Sequence, residues 1–344
     1  MSFALGQNLV LLRADGIHVF PPFLRWLTRS PQWWEQVAKF LNVGAVFDSL
    51  RCADIPNFEV PIPPLQEQES IAGILGALDD KIDLNRRMNE TLEAMARAIF
   101  KDWFVDFGPT RAKMEGREPY LAPELWALFP DRLDDEGKPE GWKMRPLSEF
   151  ITIIGGGTPK TSIDAYWGGD IPWFSVVDTP AKGDVFVLDT EKTITRLGLE
   201  NSSVRMIPTG TTIISARGTV GNLAVAARDM TFNQSCYALR GAGAAGDFFV
   251  YLAAQHLVSQ LQSMAHGSVF STITRQTFDA VTLPMPRDKV LREFEAVTES
   301  LFEKIKANVG ESRTLAQTRD LLLPKLMSGE IRVKEAEKII EEVN

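Results

Sequence analysis

Two cysteines and three histidines are all that this 344-residue chain offers for thiol or imidazole chemistry. Cys52 and Cys236 are too few for a disulfide framework or a four-thiolate zinc site, and both read as small buried side chains. His18, His256 and His266 lack the close spacing by which a helix ligates a metal, so each reads as a core or surface histidine. No metal and no other cofactor is expected. No run of about 18 apolar residues offers a membrane span, so no membrane partner is expected. The opening MSFALGQNLVLLRADG has no basic segment leading into a long apolar stretch, as a secretory signal would, and a cytoplasmic location is the expectation.

An excess of basic charge is also missing. The net charge of -8 runs against a polyanionic partner, but it is unevenly spread. Residues 115–141 carry three basic and eight acidic side chains, whereas 142–247 carry ten of each. The near-neutral segments can still present local basic surface. Hydrophobic content of 44% and charged content of 24% are ordinary for globular protein, and the length suits two or three cores.

What the chain has is an internal repeat. At an offset of 223 residues, Gly44–Pro64 falls without a gap on Gly267–Arg287, with Gly44/Gly267, Val46/Val269, Phe47/Phe270, Pro61/Pro284 and Pro63/Pro286 identical. Each Pro-x-Pro opens a long helical stretch, 65–107 and 288–326. A helix of about 40 residues is roughly 60 Å long, too long for an ordinary element of a small domain. In the first stretch Ile71, Leu75, Leu78, Ile82, Asn85, Asn89, Leu92, Ala96, Ile99 and Trp103 recur at spacings of four and three, a coiled-coil seam. The offset carries it onto Phe294, Thr298, Leu301, Ile305, Asn308, Ser312, Leu315, Arg319, Leu322 and Leu326. Antiparallel pairing would set Asn85 against Ser312 and Asn89 against Asn308, a polar cluster that fixes register.

Residues 115–141, rich in Pro, Gly and acids, read as a linker. From 142 to 240 short β-branched runs (Ile151–Ile154, Val185–Leu188, Thr211–Ser215) alternate with Gly, Pro and Asp turns, which predicts a mixed, mostly β domain. A helical stretch near 247–263 completes it, and 23–41 is its counterpart in the first copy.

The run PIPPLQEQESIAGILGALDDKIDLNRRMNETLEAMARAIFKDWFVDFGPTRAKMEG, Pro61 to Gly116, resembles the central conserved region of Type I restriction-modification specificity subunits. PEGWKMRPLSEF, GGTPKTSIDAYWGGDIPWFSVVD, SARGTVGNLAV and TFNQSCYAL resemble that family's target recognition domain, and RTLAQTRDLLLPKLMSGEIRV its distal conserved region. The resemblance implies an α+β fold, with mixed, mostly β target recognition domains joined by two long antiparallel coiled-coil helices. It divides the chain into a shortened first recognition domain (1–60), the central helix (61–114), the linker (115–141), a second recognition domain (142–287) and the distal helix with its tail (288–344). The implied partners are double-stranded DNA, methyltransferase subunits docked on the helices and, through the complex, a restriction subunit. The chain itself would supply no catalytic residue. Gln7–Arg13 lies on Gln234–Arg240 at an offset of 227, so 142–233 have no counterpart in the first copy. Either that copy is truncated, or the chain reads with one domain and restores the second by self-association. The alternative function is a scaffold for methyltransferase subunits with impaired DNA selection.

Base reading needs donors and acceptors on loops that approach a duplex closely. Thr158, Lys160 and Thr161 follow Gly155–Gly157, which permit either such an approach or a plain turn. Arg217 sits among small residues with Thr219 and Asn222, where its planar fork suits a guanine or a phosphate. Asn233, Gln234 and Ser235 form a polar triplet inside an apolar strand pattern, where the amides of Asn233 and Gln234 either read adenine or satisfy backbone groups. Ser268, Ser271, Thr272 and Thr274 either touch phosphates or cap the chain. Tyr166, Trp167, Trp173 and Phe174 are assigned to packing. Pro130-Asp131 with Glu136 and Lys138 mimics a nuclease pattern, but its spacing is tight and its setting is the acidic linker. GGGTPKT lacks the glycine before lysine that a phosphate loop needs.

Overall fold

The computed structural model describes residues 9–42, 48–264 and 272–343. Its helices are α1 (Pro21–Leu27), α2 (Pro31–Phe40), α3 (Leu65–Phe104), α4 (Gly108–Met114), α5 (Pro123–Trp126), α6 (Arg196–Glu200), α7 (Asp247–Met264), α8 (Arg275–Ala280), α9 (Asp288–Ser328) and α10 (Val333–Val343). Its strands are β1 (Lys143–Pro146), β2 (Ile151–Gly155), β3 (Trp167–Phe174), β4 (Phe186–Val187), β5 (Lys192–Ile194), β6 (Thr212–Ser215), β7 (Leu223–Ala226), β8 (Thr231–Phe232), β9 (Cys236–Gly241) and β10 (Thr282–Met285). The repeat positions Gly44, Val46, Phe47, Gly267, Val269 and Phe270 lie outside the described residues, as do Gln7 and His266.

The chain forms two compact units, Met1–Asn85 with Glu311–Asn344, and Arg86–Gly310. The first is helical. The 3.6-residue period of α3 buries Ile71, Leu75 and Leu78 against Leu315, Leu322 and Leu326 of α9, and Phe23 and Trp26 of α1 close the same core. The helical stretch expected over 23–41 is two helices, because Ser30 caps a new one through Trp33 N and Pro31 stands at its first turn. Gln68, fully buried on α3, ties down the segment before α1: its Oε1 accepts from Phe20 N at 2.8 Å, and its Nε2 donates to His18 O and Pro63 O, both at 2.9 Å. The seam arginine Arg319 is neutralised by Asp79, 2.6 Å away on α3, which also pairs with Arg25.

The second unit holds the sheets. One has the order β2-β9-β6-β7-β4, with β4 parallel to β7 and the rest antiparallel. Its period-two alternation buries both faces: Ile214, Val225 and Leu239 face the core shared with the long helices, while Ile213, Ala224, Ala226 and Ala238 face a second core around Phe174 and Phe232. A three-stranded sheet (β5-β3-β8) and the pair β1-β10 complete the domain. Residues 115–141 contribute α5 and Phe129, which is buried in the main core.

The helix α7 is held on α9 by a carboxylate. Glu295 Oε1 and Oε2 accept from Phe248 N and Phe249 N, both at 3.0 Å, which satisfies two of the free N–H groups that open any helix. The approach is so close that a Cβ on Gly246 would lie 1.9 Å from the Glu295 carboxyl carbon. Burial raises the Glu295 pKa above the ordinary 4.5, against the lowering effect of those two N–H groups. Between 4.5 and the raised value the folded chain therefore binds more protons than the unfolded one, so this group's contribution falls as pH rises through that window. Glu295→Gln should remove that slope from the urea midpoint measured against pH, and an unchanged slope would contradict the assignment. Glu295→Ala, which strands both donors, should cost about 1–3 kcal/mol per group.

Candidate nucleic-acid interface

Three loops leave the five-stranded sheet at one end. Strand β2 finishes at Gly155, which pairs with Tyr237; β9 begins at Cys236, which pairs with Ser215, the last residue of β6; and Ile214 pairs with both Tyr237 and Leu223, the first residue of β7. Residues 156–166, 216–222 and 233–235 therefore emerge side by side, and they carry most of the candidate side chains.

The 216–222 loop is fixed by its own backbone. Ser215 Oγ accepts from Asn222 N at 2.9 Å and donates to Thr219 O. Ala216 is held on both sides, its N donating to Ser235 O at 2.8 Å and its O accepting from Ile273 N at 3.0 Å. The backbones of Arg217 and Thr272 pair as an isolated antiparallel bridge outside the named strands. Arg217, Thr219, Asn222 and Thr272 are all exposed, and Arg217 has no ion pair among the described residues. A rigid backbone thus presents a guanidinium whose donors are not already spent.

The 156–161 loop lies against the β8–β9 turn. Gly157 N donates to Phe232 O at 3.0 Å, and a Cβ on Gly156 would lie 2.0 Å from Asn233 O, so this close approach admits only glycine. Thr158 Oγ1 donates to Gln234 Oε1, joining two candidates 76 residues apart. Lys160, Thr161 and Gln234 are exposed. Asn233, expected within a strand, sits in the turn, where its Oδ1 accepts from Ser235 N at 3.0 Å. Ser268 and Ser271 lie outside the described residues. Trp173 and Phe174 are buried, and Tyr166 and Trp167 are half-buried. Arg275 carries no signal in the sequence that sets it apart from the hydroxyl residues before it. It is exposed three residues after Thr272, and its Nη2 donates to Ile153 O near the end of β2.

Of the two cysteines expected to be buried, Cys236 is buried and Cys52 is exposed. Burial pushes the Cys236 thiol up to about 12, which leaves no thiolate near neutral pH. Lys138 of the nuclease-like pattern lies 2.5 Å from both Asp134 and Glu136, and Asp131 pairs with Lys113. Among the described residues no group of three or more His, Cys, Asp or Glu is placed to hold a metal ion, and no helix is long and apolar enough to cross a membrane.

The helix-pair residues meet within each unit. In the first, Asn85 Nδ2 donates to Glu311 Oε2 at 2.8 Å and to Ser312 Oγ at 3.3 Å. In the second, Asn308 Nδ2 donates to Asn89 Oδ1 at 2.8 Å, both side chains being almost fully buried. A slipped register would strand these amides among leucines. Asn308→Leu, which removes the donor to Asn89, should lower stability by about 1–3 kcal/mol in urea unfolding, and adding Asn89→Leu should recover most of the loss. A single variant as stable as the parent would contradict this.

Comparison with known proteins places this arrangement. The family model for the Type I restriction modification DNA specificity domain matches residues 18–94 and 139–294. The Type I restriction enzyme HindI specificity subunit of Haemophilus influenzae is 26% identical over 378 aligned residues, covering 96% of this chain and 82% of the relative. The Type I restriction enzyme MjaIX specificity subunit of Methanocaldococcus jannaschii is 26% identical, covering 94% of this chain and 72% of the relative. The crystal structure of a Type I restriction-modification S subunit from M. genitalium superposes with a TM-score of 0.54 at 16% identity, covering 91% of this chain and 74% of that one, a likeness of fold.

Proposed function

Because this chain belongs to the Type I restriction modification DNA specificity domain family, we propose that it reads double-stranded DNA through the loops 156–161, 216–222 and 233–235 and supplies no catalytic residue. The observation that carries the reading is the convergence of these loops at one end of a sheet buried on both faces, with Lys160, Thr161, Arg217 and Gln234 exposed there. A sheet packed on both sides is a stiff base, and stiffness is what base readout requires: a side chain must meet a base edge within hydrogen-bonding distance without first ordering its own backbone. Arg217 would read a guanine edge or grip a phosphate, Gln234 and Asn222 would offer amides to bases, and Lys160, Thr158, Thr161, Thr219 and Thr272 would position the backbone.

On this reading 142–287 form the recognition domain, 61–114 and 288–344 supply the long helices, 115–141 connect them, and 1–60 belong to a first recognition domain. Methyltransferase subunits would dock on the helices, with a restriction subunit added through the complex. Met88 and Met95, seven residues apart on α3, are exposed and give a partner an apolar surface of adaptable shape. The site of action is DNA inside the cell.

The test is duplex binding by the complex with its cognate modification subunits, across a range of salt. Arg217→Ala should cost about 1–3 kcal/mol at one position of the target and relax the preference there. Lys160→Ala should weaken all duplexes alike and reduce the slope of log K against log salt by about 1. Binding that depends neither on sequence nor on these side chains would overturn the reading.

A further inference from the structure

Beside the candidate reading face lies a cleft of about 590 Å³ that packing alone does not explain. Its walls include Thr161, Asp164, Trp167, Trp173, Glu191 and Lys192. The two indoles meet edge to face, with ring centroids 5.1 Å apart and planes at 87°. Both indole N–H groups are already engaged: Trp173 Nε1 donates to Gly157 O at 3.0 Å and Trp167 Nε1 to Lys160 O at 3.3 Å. Those carbonyls belong to the same 156–161 loop that presents Thr158, Lys160 and Thr161, so the orientation of the indoles and of the reading loop is set together.

The backbone contributes to this aim. Strand β3 slips its register against β5, with Trp167 and Ile171 both opposite Ile194, and such a bulge redirects the side chain at its edge. Trp173 is buried in the small core with Ile194 and Val204, whereas Trp167 is half-buried and packs against that core. The polar side chains of the lining are two carboxylates (Asp164, Glu191), one ammonium (Lys192) and two hydroxyls (Thr161, Thr193). This balance disfavours an anion such as a phosphodiester, and it suits a flat neutral ligand with amino hydrogens to give.

We propose that this cleft is a binding site for a single nucleobase outside the duplex stack, held against Trp167 with its exocyclic amino group donating to Asp164 or Glu191. Adenine and cytosine present such an amine on the edge that carries the sequence information, and thymine presents a carbonyl oxygen there. An indole face accepts any base, so stacking supplies affinity and the carboxylates supply choice. The proposal rests on the reading of the adjacent loops as a DNA face, which is what would bring a base to the cleft.

The test uses nucleosides, which carry no phosphate. The full chain, with ¹⁵N-labelled indoles, is titrated with 2′-deoxyadenosine and with thymidine, and the Trp167 indole resonance is identified by its loss in Trp167→Leu. Saturable shifts of that resonance are expected with deoxyadenosine, with an affinity several-fold higher than for thymidine. Trp167→Leu should weaken deoxyadenosine binding by about tenfold or more, read from the remaining cleft resonances. Asp164→Asn combined with Glu191→Gln, both at exposed positions that leave the indoles in place, should bring the two nucleosides to within about twofold of one another. No saturable shift, equal affinities in the parent, or a preference for deoxyadenosine that survives loss of both carboxylates would overturn the proposal. The duplex-binding measurement fails independently: nucleoside binding kept while duplex binding is absent would support the cleft and sink the reading face.

Discussion

The larger unit depends on one aromatic layer. Phe294 of α9 is fully buried, with its ring centroid 4.9 Å from Phe104, 5.6 Å from Trp103 and 6.0 Å from Phe100 of α3, and 6.1 Å from Phe249 of α7. Phe129, from the stretch between α5 and β1, meets Trp103 edge to face at 5.0 Å. Rings in edge-to-face contact resist sliding as well as separation, because their charge distributions complement one another in only a few arrangements. The layer therefore joins both long helices, the helix that backs the sheet, and the segment that follows α5 as one packed body. Glu295, one residue along from Phe294, then sets the start of α7 through two backbone hydrogen bonds.

From that layer the path to the candidate face is short. Helix α7 covers the face of the sheet that carries Ile214, Val225 and Leu239, and the same strands end at the loops bearing Arg217 and Gln234. The polar pair Asn89–Asn308 adds what aromatic packing lacks, a penalty for the wrong register. Affinity between the helices comes mainly from apolar burial, and uniqueness of alignment comes from buried amides paired across the helices.

Much of this was legible in the sequence because helical periodicity is a local signal. The expected stretches 65–107, 288–326 and 247–263 correspond to Leu65–Phe104, Asp288–Ser328 and Asp247–Met264, and none of the twenty seam residues is exposed. The break inside 23–41 was also local, written as Ser30-Pro31, but apolar residues on either side of it masked the cap. What could not be read was the pairing of distant loops. Nothing in Thr158 or Gln234 alone announces their contact, which follows from the register of β2 on β9. Asn233 reads as a strand residue in sequence because apolar Phe232 precedes the polar triplet and Cys236–Leu239 follow it. The tryptophans were assigned to packing, and that describes Trp173. Trp167 keeps part of its surface and lies at a register shift between β3 and β5 that single-sequence patterns do not reveal.

The most direct measurement is a map of methylated positions in DNA from cells that co-express the chain with its cognate modification subunit, made for the parent and for a variant with the 216–222 loop replaced. The account predicts modification confined to one motif in the parent and a changed or relaxed base at defined positions of that motif in the variant. The same motif from both proteins, or modification without any motif, would contradict it.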